Sequence, residues 1–220
     1  MLRDLLNKNA YTVALLGLLV ALSYYNALFT PFMWDDKTLV VSNTGLKGGW
    51  ESLLAAFSPR LWGLRVDNEA FRSFYRPLHT VLSMIDYRIW GLNPFGFHLS
   101  NVILHLFNTL LVFAFALRLS EERAAAFFAA AIFAVHPAHT ESVTFISARV
   151  DLLSAFFLLL SFHLYAFHPE PGYTRFGRGF GVRDILSMFL FLLALLSKEM
   201  AVTLPILLAL YTWFFEKWGR

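Results

Sequence analysis

The chain has 220 residues, 58% of them hydrophobic and only 15% charged, with a mean hydropathy of +0.58. Soluble globular domains run at roughly 45–50% apolar and about 25% charged, so this composition is that of an integral membrane protein, and its 24 phenylalanines suit a lipid-facing surface. The net charge of +3 leaves no basic stripe to follow a nucleic acid backbone, and the absence of cysteine excludes disulfides, thiolate metal ligands and cysteine nucleophiles.

Asn9 to Trp34 contains no Asp, Glu, Lys or Arg over 26 residues, more than the roughly 20 needed to cross a hydrocarbon core of about 30 Å. Span one is placed at about 10–34. Arg3 and Lys8 ahead of it resemble the start of a secretory signal, but the apolar run outlasts a cleaved h-region, which favours an uncleaved anchor. Residues 35–93 form a long segment read as lying outside. Within it, Trp50, Leu53, Leu54 and Phe57 share one helical face, the pattern of a helix on the membrane surface, and a second such helix is expected from Pro77 to Trp90. Ile89 to Leu117 is again free of Asp, Glu, Lys and Arg, and Pro94 suits a helix start, so span two covers about 95–118. Shorter apolar segments at about 124–140, 152–168, 184–198 and 200–216 complete an expected all-α bundle of about six spans in one transmembrane domain. The glycine-rich stretch Gly172 to Gly181 reads as an inner loop, and its Gly177-Arg178-Gly179 lacks the Lys and Ser or Thr of a P-loop. With both termini inside, nine basic residues fall on the inner side and two, Arg149 and Lys198, in short outer loops, the distribution favoured by the positive-inside rule.

Polar residues at membrane depth are costly and therefore candidates for function. Asp35 and Asp36 follow span one directly. Paired carboxylates there suit general-base chemistry or cation binding, or are simply two solvated acids at a span terminus. On span two, His98, Asn101, His105 and Asn108 recur at +3, +4 and +3, so all four share a face pointing into a bundle or cavity; interhelical hydrogen bonds are the plainer reading. His136, His139 and Glu141 carry metal-ligating side chains but lack the His-Glu-x-x-His order of a zincin, and no metal is expected. Arg149, Asp151, Lys198 and Glu199 follow on the outer side. With Arg76, the cations suit an anionic phosphate whose hydrophobic tail stays in the bilayer.

Six short motifs occur in order: Trp34-Asp35-Asp36, Tyr75-Arg76-Pro77-Leu78, Asn93-Pro94-Phe95-Gly96-Phe97-His98, Phe133 to Glu141, Arg149 to Leu153, and Leu196-Ser197-Lys198-Glu199. Together they resemble the membrane part of the transmembrane and tetratricopeptide-repeat protein O-mannosyltransferases, from about residue 10 to the end. The resemblance implies a C-type glycosyltransferase of the bacterial inner membrane. Such an enzyme moves a sugar, by resemblance mannose, from a polyprenyl phosphate carrier to an acceptor hydroxyl at the outer face. No cofactor is implied beyond that donor. Asp35 takes the position of the general base, with Asp36 beside it. Arg76, Arg149 and Lys198 become candidates for the carrier phosphate. His139, Glu141, Asp151 and Glu199, and behind them His98, Asn101 and His105, become candidates for orienting these cations or touching the sugar.

The sequence departs from the family in having Val150 where a small residue is usual, and in length. Family members are expected to match over their first half only and to continue into further spans and a repeat array, whereas here six spans are followed by no tetratricopeptide pattern. A fragment, a chain completed by a separate product, and a chain that has lost catalysis all fit. Two classes stay open: an enzyme or its catalytic half, and a non-catalytic membrane scaffold in a larger complex. Either way a one-sided polar face leads to the expectation of a partner subunit or a homo-oligomer, alongside membrane lipid and the polyprenyl phosphate carrier, with no nucleic acid.

Overall fold

The structure is a computed structural model, and it describes residues 9–48, 53–54, 56–57, 75–167 and 181–216. All regular secondary structure among these residues is helical. The expected surface helix at Trp50 to Phe57 lies outside the described residues apart from 53–54 and 56–57, and the Gly172 to Gly181 loop lies outside apart from Gly181.

Helix α1 spans Ala10–Tyr24 and tightens into a 3-10 turn over Tyr25–Phe29. It stops short of the expected Trp34 because Pro31 forces Thr30 into extended backbone (φ −78°, ψ 142°). Helix α2 runs Pro77–Trp90, the bounds expected from sequence, with proline in its first turn. Helix α3 is Pro94–Ser120, started by Asn93, whose Oδ1 accepts from the Phe95 amide (3.1 Å), and closed by Glu121 in the left-handed region. Helix α4 covers Arg123–Val135, ending where Pro137 makes His136 extended. The short α5 (Thr140–Thr144) leads to α6 (Arg149–Ala166), α7 (Val182–Ser197) and α8 (Leu204–Tyr211).

Among the described residues, three helical segments are long and apolar enough to cross a membrane: Ala10–Phe29, Pro94–Ser120 and Ile146–Ala166. The other three expected spans correspond to shorter elements. The 13 residues of α4 reach only about 20 Å, and α7 has 16 residues. The segment expected at 200–216 is α8 extended by a 3-10 turn before it and a wide turn after it, an apolar stretch of Glu199–Phe215.

Helix α3 is central, packed against α1, α4 and α6, and α6 in turn packs against α7 and α8. Ala126, Ala130 and Ala134 recur every four residues on α4 and are fully buried, so small side chains let α4 approach α1 and α3 closely. On the outside, Leu15, Leu18 and Leu22 of α1, Phe128 and Ile132 of α4, and Met188, Phe189 and Leu192 of α7 are exposed, as lipid-facing residues should be.

The polar stripe of α3 is buried and spent on this packing. His98 Nε2 meets the Thr30 hydroxyl (2.9 Å) and carbonyl (3.1 Å), and Asn101 donates to the Val143 carbonyl (3.2 Å). His105 Nε2 pairs with the Ala134 carbonyl (3.0 Å), and Asn108 donates to the Leu152 carbonyl (3.0 Å). Each acceptor lies on a different neighbour, so one face of α3 ties the end of α1, α4, α5 and α6 together. Ser161 and Ser187 join α6 to α7 in the same way, each hydroxyl donating to the other's backbone carbonyl (2.7 and 2.9 Å).

Candidate functional site

At one end of the bundle, the end of α1, the start of α2, the α5–α6 junction and the end of α7 converge on a cavity of about 250 Å³. Its wall includes Asp35, Arg76, His79, Glu141, Asp151 and Lys198, together with Ser147 and Phe145.

Asp35 reaches this cavity because of the turn that Pro31 starts. Trp34 adopts a positive φ (41°), costly for a tryptophan, and the chain reverses there. Asp36 holds the reversal in place. Its Oδ2 accepts from the Met33 amide (3.2 Å), and its Oδ1 accepts from both the amide (2.8 Å) and the hydroxyl (2.6 Å) of Ser147. The two acids therefore divide their tasks. Asp36 is buried and does not line the cavity, and it is a positioning residue that pins the turn to the α5–α6 junction. The expected pair of carboxylates acting on one site is not what the geometry presents; Asp35 alone faces the cavity.

The three candidate cations also separate. Arg149 is fully buried. It donates to Asp86 (2.6 Å) and to the Phe97 carbonyl (2.9 Å), and its guanidinium lies 5.5 Å from the centre of the Phe97 ring. Ser100 donates to the other oxygen of Asp86 (2.5 Å). Removing Arg149 from that pair would strand a buried carboxylate, which costs several kcal/mol. It is not among the residues lining the cavity, so its expected role on the carrier phosphate gives way to one of tying α6 to α2 and α3. Arg76 and Lys198 differ. Arg76 meets Glu199 (3.3 Å) with side-chain exposures of 22% and 68%, and Lys198 meets Asp151 with exposures of 27% and 38%. Pairs this accessible contribute about 0–1 kcal/mol, so an incoming anion can replace either carboxylate at little cost.

His98, Asn101 and His105, expected behind the sugar, do not line the cavity; they make the interhelical bonds described above. His139 lies among Phe133, His105 and His136, its ring tilted against each with ring centres at 4.3, 5.5 and 6.0 Å, and it does not line the cavity. Glu141 and Asp151 line it, and Glu199 adjoins it through Arg76. Among the described residues, no three His, Asp or Glu side chains converge as a metal site would require.

The sequence reading passed over two buried residues of α2, His79 and Asp86. With Ser83 they recur at +4 and +3, the same one-face spacing that drew notice on α3. His79 lies in the first turn of α2 and lines the cavity. Burial, then the charges of Arg149 and Arg76, push its pKa down to about 3.

The class defined at this point is an all-α membrane bundle with a polar cavity where helix ends meet. No family model matches the chain, and no solved structure matches it. Curated proteins do. The chain is 31% identical to protein O-mannosyl-transferase TMTC3 of Mus musculus over 206 residues, covering 94% of this chain and 22% of that protein. It is 35% identical to protein O-mannosyl-transferase Tmtc1 of Drosophila melanogaster (85% of this chain, 21% of that protein) and 33% identical to TMTC1 of Homo sapiens (88% and 22%). The chain is thus a relative of the N-terminal membrane part of the transmembrane and tetratricopeptide-repeat protein O-mannosyl-transferases. It spans about a fifth of the length of these relatives rather than the first half expected from sequence.

Proposed function

We propose that the chain carries the acceptor and donor site of a membrane mannosyltransferase that draws on a polyprenyl phosphate sugar and works at the outer face of the membrane. Asp35 is the general base: it takes the proton of an acceptor hydroxyl as that oxygen attacks the anomeric carbon and the carrier phosphate departs. Arg76 and Lys198 leave Glu199 and Asp151 to bind the phosphate, which gains negative charge as the glycosidic bond breaks. Glu141 and Asp151 are left to contact sugar hydroxyls. Both termini lie inside, in accord with the nine-to-two distribution of basic residues. The observation that carries the reading is the meeting of Asp35 with Arg76 and Lys198 around one cavity.

A second reading, a non-catalytic scaffold within a larger complex, is favoured by one observation: both cations already have carboxylate partners. Transfer of labelled mannose from a polyprenyl phosphate donor separates the two. The enzyme reading expects transfer by the wild type and a raised donor requirement in Arg76→Ala and Lys198→Ala. The scaffold reading expects no transfer from any preparation, including one that retains partner subunits.

A further inference from the structure

The wall of the cavity formed by α2 presents two independent features. Pro77 opens this 14-residue helix, so the positive end of its dipole lies at Arg76 and His79, both of which line the cavity. Within that turn, His79 is only 4% exposed and lines the cavity, yet its buried Nε2 has no hydrogen-bond partner. Buried polar atoms are nearly always paired, and an unpaired one on a residue that lines a cavity points to a ligand. The surroundings specify which ligand atom. Asp35, Glu141 and Asp151 line the same cavity, but the charges acting on His79 are those of Arg149 and Arg76, and with the helix N-terminus they make the α2 side of the cavity the setting for an anionic oxygen rather than a sugar hydroxyl.

We propose that His79 is a ligand-contacting residue whose Nε2–H donates a hydrogen bond to a phosphate oxygen, with Arg76 supplying the charge. This assignment deepens the glycosyl-transfer reading and rests on it for the identity of the phosphate as that of a polyprenyl carrier. The imidazole stays neutral at physiological pH, since burial and the neighbouring guanidinium groups oppose its protonation. It therefore adds a directed donor without adding a further charge that would hold the carrier after transfer.

The test is titration of the detergent-purified chain with a short-chain polyprenyl monophosphate, and separately with inorganic phosphate, using wild type, His79→Leu, His79→Gln and His79→Asn. Losing a hydrogen bond to a charged group should weaken polyprenyl monophosphate binding by about ten- to a hundredfold in His79→Leu. His79→Gln, whose amide reaches the Nε2 position, should recover most of the affinity, and His79→Asn, whose amide sits nearer the backbone, should not. This Gln and Asn comparison decides the matter even where the Leu variant fails to fold. Equal affinity in the Gln and Asn variants, with wild-type binding intact, overturns the His79 assignment and leaves the glycosyl-transfer reading standing. Binding of inorganic phosphate as tight as that of the lipid, with the same dependence on His79, supports the assignment but makes the ligand a free phosphate. No binding of either ligand by the wild type overturns both.

Discussion

Replacing Asp86 by Asn would show whether Arg149 belongs to the scaffold or to the substrate. Arg149 is fully buried, and its only carboxylate contact among the described residues is Asp86, at 2.6 Å. The substitution keeps the volume and removes the compensating charge, which for a buried pair costs about 3–5 kcal/mol. At about 2–4 °C per kcal/mol for a chain of this size, the melting temperature should fall on the order of 10 °C. The double variant Asp86→Leu, Arg149→Met should recover most of that loss, because apolar replacement of a buried pair is often neutral. Arg76→Ala and Lys198→Ala break accessible pairs and should move the melting temperature by about 4 °C or less. Intrinsic fluorescence of the detergent-purified variants during heating provides the stability readout, and polyprenyl phosphate titration provides the binding readout. If Arg149→Met melts like the wild type but no longer binds the lipid phosphate, the division between structural and substrate-facing cations is refuted.

Three further outcomes are expected. Gly96→Ala should destabilise the α2–α3 corner by about 1–3 kcal/mol, since the added Cβ would lie 2.1 Å from Cγ of Trp90, and Trp90→Ala in the same chain should relieve the loss; an unchanged melting temperature for the single variant would contradict the packing. His79 is held neutral in the folded chain, with a pKa of about 3 against 6.5 when unfolded, so its contribution is complete above pH 6.5 and is lost as the pH falls from there toward 3. The loss should amount to about 2 kcal/mol at pH 5, measured as the extra acid sensitivity of wild type over His79→Gln, and parallel stability profiles for the two would refute it. Because the chain lacks cysteine, a single cysteine introduced at position 45 should react with a membrane-impermeant reagent in intact cells while one at 177 should not; the reverse pattern would invert the topology.

Much of this arrangement is legible in the sequence, and the boundary of what is legible has physical causes. Charge-free runs located α1 and α3, because a hydrocarbon core imposes its requirement on every residue of a span. The bounds expected for α2, Pro77 to Trp90, are those of the structure. The spacing of His98, Asn101, His105 and Asn108 placed them on one face, but periodicity says nothing about what faces them. Their backbone acceptors at Thr30, Val143, Ala134 and Leu152 are set by tertiary packing alone. For the same reason Arg149 could not be told from Arg76 and Lys198: all three are basic residues near helix ends, and only the fold hides one of them against Asp86. Asp86 and His79 were within reach, had the one-face test applied to α3 been applied to the amphipathic α2. Asp35 and Asp36 are neighbours in sequence yet face different surroundings, a consequence of the backbone reversal at Trp34 that residue types do not reveal.

The central claim is that Asp35 abstracts the acceptor proton beside a phosphate held by Arg76 and Lys198. It is tested most directly by the rate of mannose transfer from a saturating polyprenyl phosphate donor in wild type and Asp35→Asn, with donor binding measured on the same preparations. Asn keeps the shape and much of the hydrogen bonding while losing the base, so turnover should fall by about 10²-fold or more with donor affinity preserved. Equal turnover in the two proteins would contradict the account.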